Sequence, residues 1–206
     1  MNNIADKDTR ERAAVYIDGS NFYGYLMDEE INFEKGQKFN YKSFVGSLVG
    51  KSRVCVSKRF YTGAYENVDG SERSRTLVRG QRKFFRKLKE DGFVVKEGRI
   101  MFSKKHPNEK PKEKGTDVKI AVDLVIGAVD NHYDTAILIS SDTDLIPAIL
   151  YIKYKKKKLE YVGFSHDPSL RMQKFANLIK LLSAEDIERY TEKNLISMIK
   201  KVIPKK

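Results

Sequence analysis

The sequence predicts an α/β protein, a three-layer α/β/α sandwich around a central, mainly parallel sheet. Three observations carry that expectation. Short runs of β-branched and aromatic residues recur along the chain, helical stretches separate them, and two of the runs stop at an aspartate. Strands alternating with helices at this spacing build βαβ units, whose crossover helices cover both faces of a parallel sheet. The 206 residues, 40% of them hydrophobic, suffice for one substantial core and favour a single domain with small appendages.

The elements follow in order. Residues 1–12 are polar and read as a flexible N-terminal segment. Residues 13–18 (AAVYID) form a buried strand that ends at Gly19. Residues 21–27 begin a helix, 41–50 a second, and 53–61 (RVCVSKRFY) a strand. Residues 72–91 set Leu77, Phe84, Phe85 and Leu88 among arginines and lysines, an amphipathic helix with a basic face that Gly92 stops. Short strands are expected at 93–96 and 100–103, then a loop without regular structure at 104–115, whose prolines and charges resist pairing. Thr116 is a candidate cap for a helix from Asp117 to about Asn131. Residues 135–141 (TAILISS) are a continuous apolar run of the kind buried on both sheet faces. Asp142 ends that run, and Asp144 introduces a helix over 145–155. A strand at 159–164, a helix at 169–177, an edge strand at 178–182 and a helix at 184–190 complete the pattern. The expected domain spans 13–183, followed by a helical, basic tail at 184–206.

Composition removes several classes of function. No apolar run approaches the ~20 residues that span a bilayer, and the N-terminus lacks the apolar centre of a signal peptide, so no membrane role and a cytoplasmic location are expected. Cys55 is alone within an apolar run and reads as a core residue. His106, His132 and His166 stand far apart with no zinc-ligand spacing. Forty Lys and Arg against 28 Asp and Glu leave a net charge of +12, which suits a polyanionic partner. No GxxxxGK[ST] loop, no GxGxxG after the first strand and no DxDxT pattern is present.

Three segments each set a carboxylate at an element boundary: residues 16–21 (YIDGSN), 114–123 (KGTDVKIAVD) and 140–145 (SSDTDL). If Asp18 and Asp142 end neighbouring strands and Asp117 opens the helix leading to the second, the three converge on one cleft, where ligands of open α/β sheets gather. Such a cluster repels itself without a cation, and its oxygen donors suit Mg²⁺ or Mn²⁺. Metal-assisted hydrolysis of a phosphodiester is the reaction class that follows. Each residue also has a plain structural role available. Asp144 and Asn21 read equally well as caps, and Asp117 is favoured at a helix start without any metal. Asp123 lies about 120° around the helix from Asp117 and ranks below the others.

Together these segments, YIDGSNFY, KGTDVKIAVDL and ILISSDTDLIPAI, resemble the NYN domains of the PIN-like nuclease superfamily, in particular the bacterial LabA-like branch. The resemblance spans 13–164 and continues through 182. It implies a PIN-like, Rossmann-like fold, an acidic Mg²⁺ or Mn²⁺ pocket and endonucleolytic cleavage of RNA. By motif position, Asp18, Asp117 and Asp142 are the implied metal carboxylates, with Asn21 and Asp144 supporting them. The chain departs from the pattern at Ser141 and Leu145, where glycine and phenylalanine are common. The alternative is an RNA-binding or regulatory module of the same fold with weak or no turnover.

The basic segments then acquire a role in binding single-stranded or structured RNA. Lys114 is expected nearest the reacting phosphate, with Arg79, Arg82 and Arg86 tracking the backbone. Lys104, Lys105, Lys110 and Lys112 are further candidates. The run 153–158 reads equally as an RNA contact or as a solvated helix end. Tyr23, Tyr25, Tyr61 and Tyr65 are candidate base-stacking residues, with core packing the expected role for most. Apolar residues in the tail, Leu195 and Ile199 among them, are expected to pack on the domain, with a homodimer as the other arrangement.

Overall fold

A computed structural model describes residues 9–31, 33, 37–66, 70–101 and 112–192. Seven strands form one sheet in the order β4-β3-β2-β1-β5-β6-β7. They are β1 (Glu11–Asp18), β2 (Arg53–Ala64), β3 (Val94–Met101), β4 (Lys112–Lys114), β5 (Thr135–Ile139), β6 (Lys158–Phe164) and β7 (Leu178–Leu182). Every neighbouring pair is parallel except β3 with β4. The α/β/α architecture expected from the sequence is the observed one.

Side-chain alternation along β1 explains the layering. Ala13, Val15 and Ile17 enter one core, with Phe22 from α1 (Gly19–Leu26), Phe44 and Leu48 from α2 (Tyr41–Val49), and Leu88 from α3 (Glu72–Glu90). Ala14 and Tyr16 enter the other, with Ile120 and Leu124 from α4 (Thr116–Val129), Ile149 from α5 (Ile146–Tyr154) and Met172 from α6 (Leu170–Phe175). All five residues of β5 are buried, as a strand covered on both faces requires. The last helix, α7 (Ala184–Glu188), closes on the first core through Ile187 and carries a reciprocal Ser183–Asp186 capping box.

Several expectations are corrected. The first strand begins at Glu11, because Arg12 is held there: its amide and guanidinium bond Asp134 at 2.9, 3.1 and 2.8 Å. Residues 93–96 and 100–103 are not two strands; Val94–Met101 runs unbroken, bonded to β2 on one side and β4 on the other. The expected loop at 104–115 contains β4 at its end, while Lys104, Lys105 and Lys110 lie outside the described residues. Thr116 does not cap α4; Gly115, with φ 82°, occupies that position and Thr116 is the first helical residue. Cys55 is exposed and not core, since β3 pairs only from Arg59 onward and leaves this part of β2 overhanging past an irregularity at Ala13/Ala14. The tail residues Leu195 and Ile199 lie outside the described residues. Among the described residues no helix is long and apolar enough to cross a membrane.

Candidate active site

From β1 the chain moves outward through β2, β3 and β4, then returns by α4 and moves the other way through β5, β6 and β7. The order therefore reverses between β1 and β5, and a crevice opens beyond their carboxyl ends. Asp18 is the last residue of β1, and Ser140, Ser141 and Asp142 follow β5 directly.

Asp18 is 5% exposed. One oxygen, Oδ1, accepts the Asn21 amide at 3.0 Å and so caps α1. The other, Oδ2, accepts the Ser140 hydroxyl at 3.0 Å. Ser140 Oγ in turn accepts the Asp142 amide at 3.1 Å, which ties the two strand ends through one hydroxyl. The side-chain oxygen of Asn21 accepts the Ser141 amide at 3.1 Å and bridges α1 to the same loop. Gly19 permits the tight turn after Asp18: a Cβ there would stand 2.3 Å from the Phe60 ring and 2.7 Å from the Tyr61 carbonyl oxygen.

Asp142 accepts the Asp144 amide at 2.9 Å and caps a short 3₁₀ turn over Thr143–Leu145 that leads into α5. The capping role foreseen for Asp144 thus belongs to Asp142, and the Asp144 side chain is exposed. Asp117 lies in the first turn of α4. Ser141, at the departure from the common pattern, shares a 2.8 Å hydrogen bond with the Tyr161 hydroxyl, and Leu145 fills the core.

These acids feel one another. Burial pushes the Asp18 carboxyl up to about 6, against the two hydrogen bonds that favour its charge, and Asp117 and Glu113 raise it further. Partial burial also raises Asp117, followed by repulsion from Asp142, Glu113 and Asp144. Glu113 was not anticipated from the sequence. It stands on β4, accepts the hydroxyls of Ser20 and Thr116, and completes the acidic wall. Lodged between lysines in KPKEKG, it carries no signal beyond the alternation that sends its side chain opposite to theirs.

Asp123 does not join the site. It accepts the Tyr61 hydroxyl at 2.8 Å and pairs with Arg59 at 3.0 Å, within the sheet–helix layer. Among the described residues no three Asp, Glu, His or Cys side chains stand close enough together to hold a single ion as they lie. The donor set, carboxylates around a buried one whose charge is disfavoured, nevertheless fits a hard divalent cation.

The basic residues divide. Arg79, Arg82 and Arg86 are exposed along α3, and Arg82 and Arg86 line a groove with Tyr65 and Gln81. Arg79 also pairs with Glu72 at 2.9 Å, an exposed pair of little energetic weight. Lys114 is exposed beside Glu113 on the edge strand. The run 153–158 lies at the opposite end of the sheet: Lys153 bonds the Phe175 carbonyl at 2.6 Å and Lys158 bonds Glu11 at 3.2 Å, so these two serve the fold. Tyr61 is fully buried and Tyr25 stacks on Phe164 at 4.5 Å, whereas Tyr23 and Tyr65 are exposed.

The α/β/α sheet, with its mostly parallel strands and an order that reverses between β1 and β5, is consistent with a PIN-like fold. Residues 12–182 match the NYN domain family, and the chain belongs to it. A search of curated proteins returns no match. Among solved structures, the chain is similar to a protein of unknown function from Vibrio parahaemolyticus, at 22% identity and a TM-score of 0.64, over 87% of this chain and 97% of that one. That likeness establishes the fold.

Proposed function

We propose that the protein is a metal-dependent endoribonuclease that hydrolyses RNA phosphodiesters with Mg²⁺ or Mn²⁺ in the crevice between β1 and β5. The observation that carries this reading is the buried Asp18, its carboxyl raised to about 6 and walled by Glu113, Asp117 and Asp142 in a chain of net charge +12. Asp18, Asp117 and Asp142 are the residues that would hold the cation, which would activate water and neutralise charge on the phosphate oxygens. Asn21 and Ser140 keep the Asp18 carboxylate oriented and the Ser141–Asp142 loop in place. Asp144 extends the acidic field that raises Asp117. Lys114, Arg79, Arg82 and Arg86 supply phosphate contacts along the RNA, and the cytoplasm is where this chemistry would be used.

The test is cleavage of labelled RNA with Mn²⁺ or Mg²⁺ by the wild type, Asp18→Asn and Asp142→Asn. Each substitution is expected to reduce cleavage by at least about 100-fold; cleavage unchanged in both overturns the assignment. That no three acids among the described residues stand close enough to hold one ion as they lie favours one other reading, an RNA-binding module without turnover. It predicts salt-sensitive binding that is unaffected or improved when the aspartates are neutralised, and no metal-dependent products.

A further inference from the structure

We propose that the outer face of α4 and α5 is a homodimer interface, covered by the same face of a second copy of this chain. On α4, Val118, Val122, Ile126 and Val129 recur at helical spacing on the side away from the sheet, and Val118 is 65% exposed. On α5, Leu150, Tyr151 and Tyr154 form the matching ridge, with Tyr154 75% exposed. The groove between the helices is lined by apolar residues throughout, among them Val122, Val125, Ile126, Pro147 and Tyr151.

Area and charge together point to a second copy. These seven half-exposed side chains offer on the order of 600 Å², near the ~800 Å² that one partner brings to a standard interface. That is also the top of what a monomer commonly leaves bare. The groove presents no charge for a polyanion to read, on a chain whose net charge is +12. Two such chains repel wherever their basic surfaces meet, so self-association is least opposed at a neutral face. A pair of apolar helices is complementary to its own two-fold copy, the isologous contact most homodimers use. Lys155 sits at the edge, its Nζ 5.7 Å from the Tyr151 ring and 5.8 Å from the Tyr154 ring, as a charged rim residue would. Glu192, the last described residue, lies on the other side of the sheet, next to Thr191, which bridges Phe39 within the α1, α2 and α7 layer.

Sedimentation velocity of the full chain tests this directly and needs no catalytic activity. The wild type is expected to be a dimer at low micromolar concentration. Val122→Glu and Tyr151→Glu, both at exposed positions, are expected to weaken the dimer by at least tenfold with an unchanged far-UV circular dichroism spectrum. Leu77→Glu, an equally exposed apolar position on α3, is expected to leave it intact. A wild type that is monomeric at tens of micromolar, or a dimer that survives both α4/α5 substitutions, overturns the proposal.

Discussion

Ser140 donates its hydroxyl to Asp18 Oδ2 at 3.0 Å and accepts the Asp142 amide at 3.1 Å, so one buried hydroxyl joins the ends of the two central strands. The acidic crevice is built on that link, and the raised Asp18 carboxyl makes it measurable.

Asp18 titrates near 6 in the fold against 3.8 for an ordinary aspartate. A carboxyl raised in this way contributes stability that is fully present below pH 3.8 and lost as pH rises through about 6. In EDTA, the unfolding free energy from urea titrations is expected to fall between pH 5 and pH 7.5, by about 1.4 kcal/mol from this group. Asp18→Asn is expected to flatten that slope, and Mn²⁺ to raise wild-type stability at pH 7.5 only while Asp18 is present. A slope identical in the variant refutes the prediction.

Glu113 is expected to behave as part of the site, although it sits on the edge strand. Glu113→Gln keeps the shape and one acceptor oxygen, turns the other contact into an amide donor facing a hydroxyl, and removes a charge that raises both Asp18 and Asp117. RNA cleavage is expected to change by about tenfold or more, with Mn²⁺ affinity weakened. Unaltered cleavage and affinity would leave Glu113 a strand residue only.

Asp123 is expected to matter for stability instead of chemistry. It is 14% exposed and holds Arg59 and Tyr61. Asp123→Ala leaves a half-buried guanidinium without its partner and is expected to cost about 3 kcal/mol in urea unfolding. Cleavage per folded molecule is expected to persist; its loss would add Asp123 to the catalytic set.

Gly19→Ala tests the turn that aims Asp18. The added methyl meets the Phe60 ring and the Tyr61 carbonyl at well under contact distance, so about 2 kcal/mol of destabilisation is expected in urea unfolding. A stability loss under 0.5 kcal/mol would mean that the turn relaxes freely.

The alternation of apolar runs and helical stretches by itself determined the layered fold, because a parallel sheet with two buried faces demands both patterns. It also determined that Asp18 stands at a strand end and Asp142 just beyond one, since each closes an apolar run. Local sequence was less informative where a residue has two uses. Asp142 and Asp144 are equally good caps as letters, and the choice between them rests on which amide each carboxylate reaches once the 3₁₀ turn has formed. Cys55 resembles core from its neighbours Val54 and Val56, yet exposure follows from where β3 begins to pair.

Only tertiary structure decided the remainder of the site. Strand order set β5 beside β1, which made Ser140 a bridge between Asp18 and Asp142, a hydroxyl with no motif of its own. The antiparallel return of β4 carried Glu113 across 95 residues of sequence to the acidic wall beside Asp18. Packing on the sheet turned Asp123 toward Arg59 and left the valines of α4 bare on the other side. Period and composition are local properties of a chain, whereas electrostatic coupling and exposed area depend on which distant segments meet.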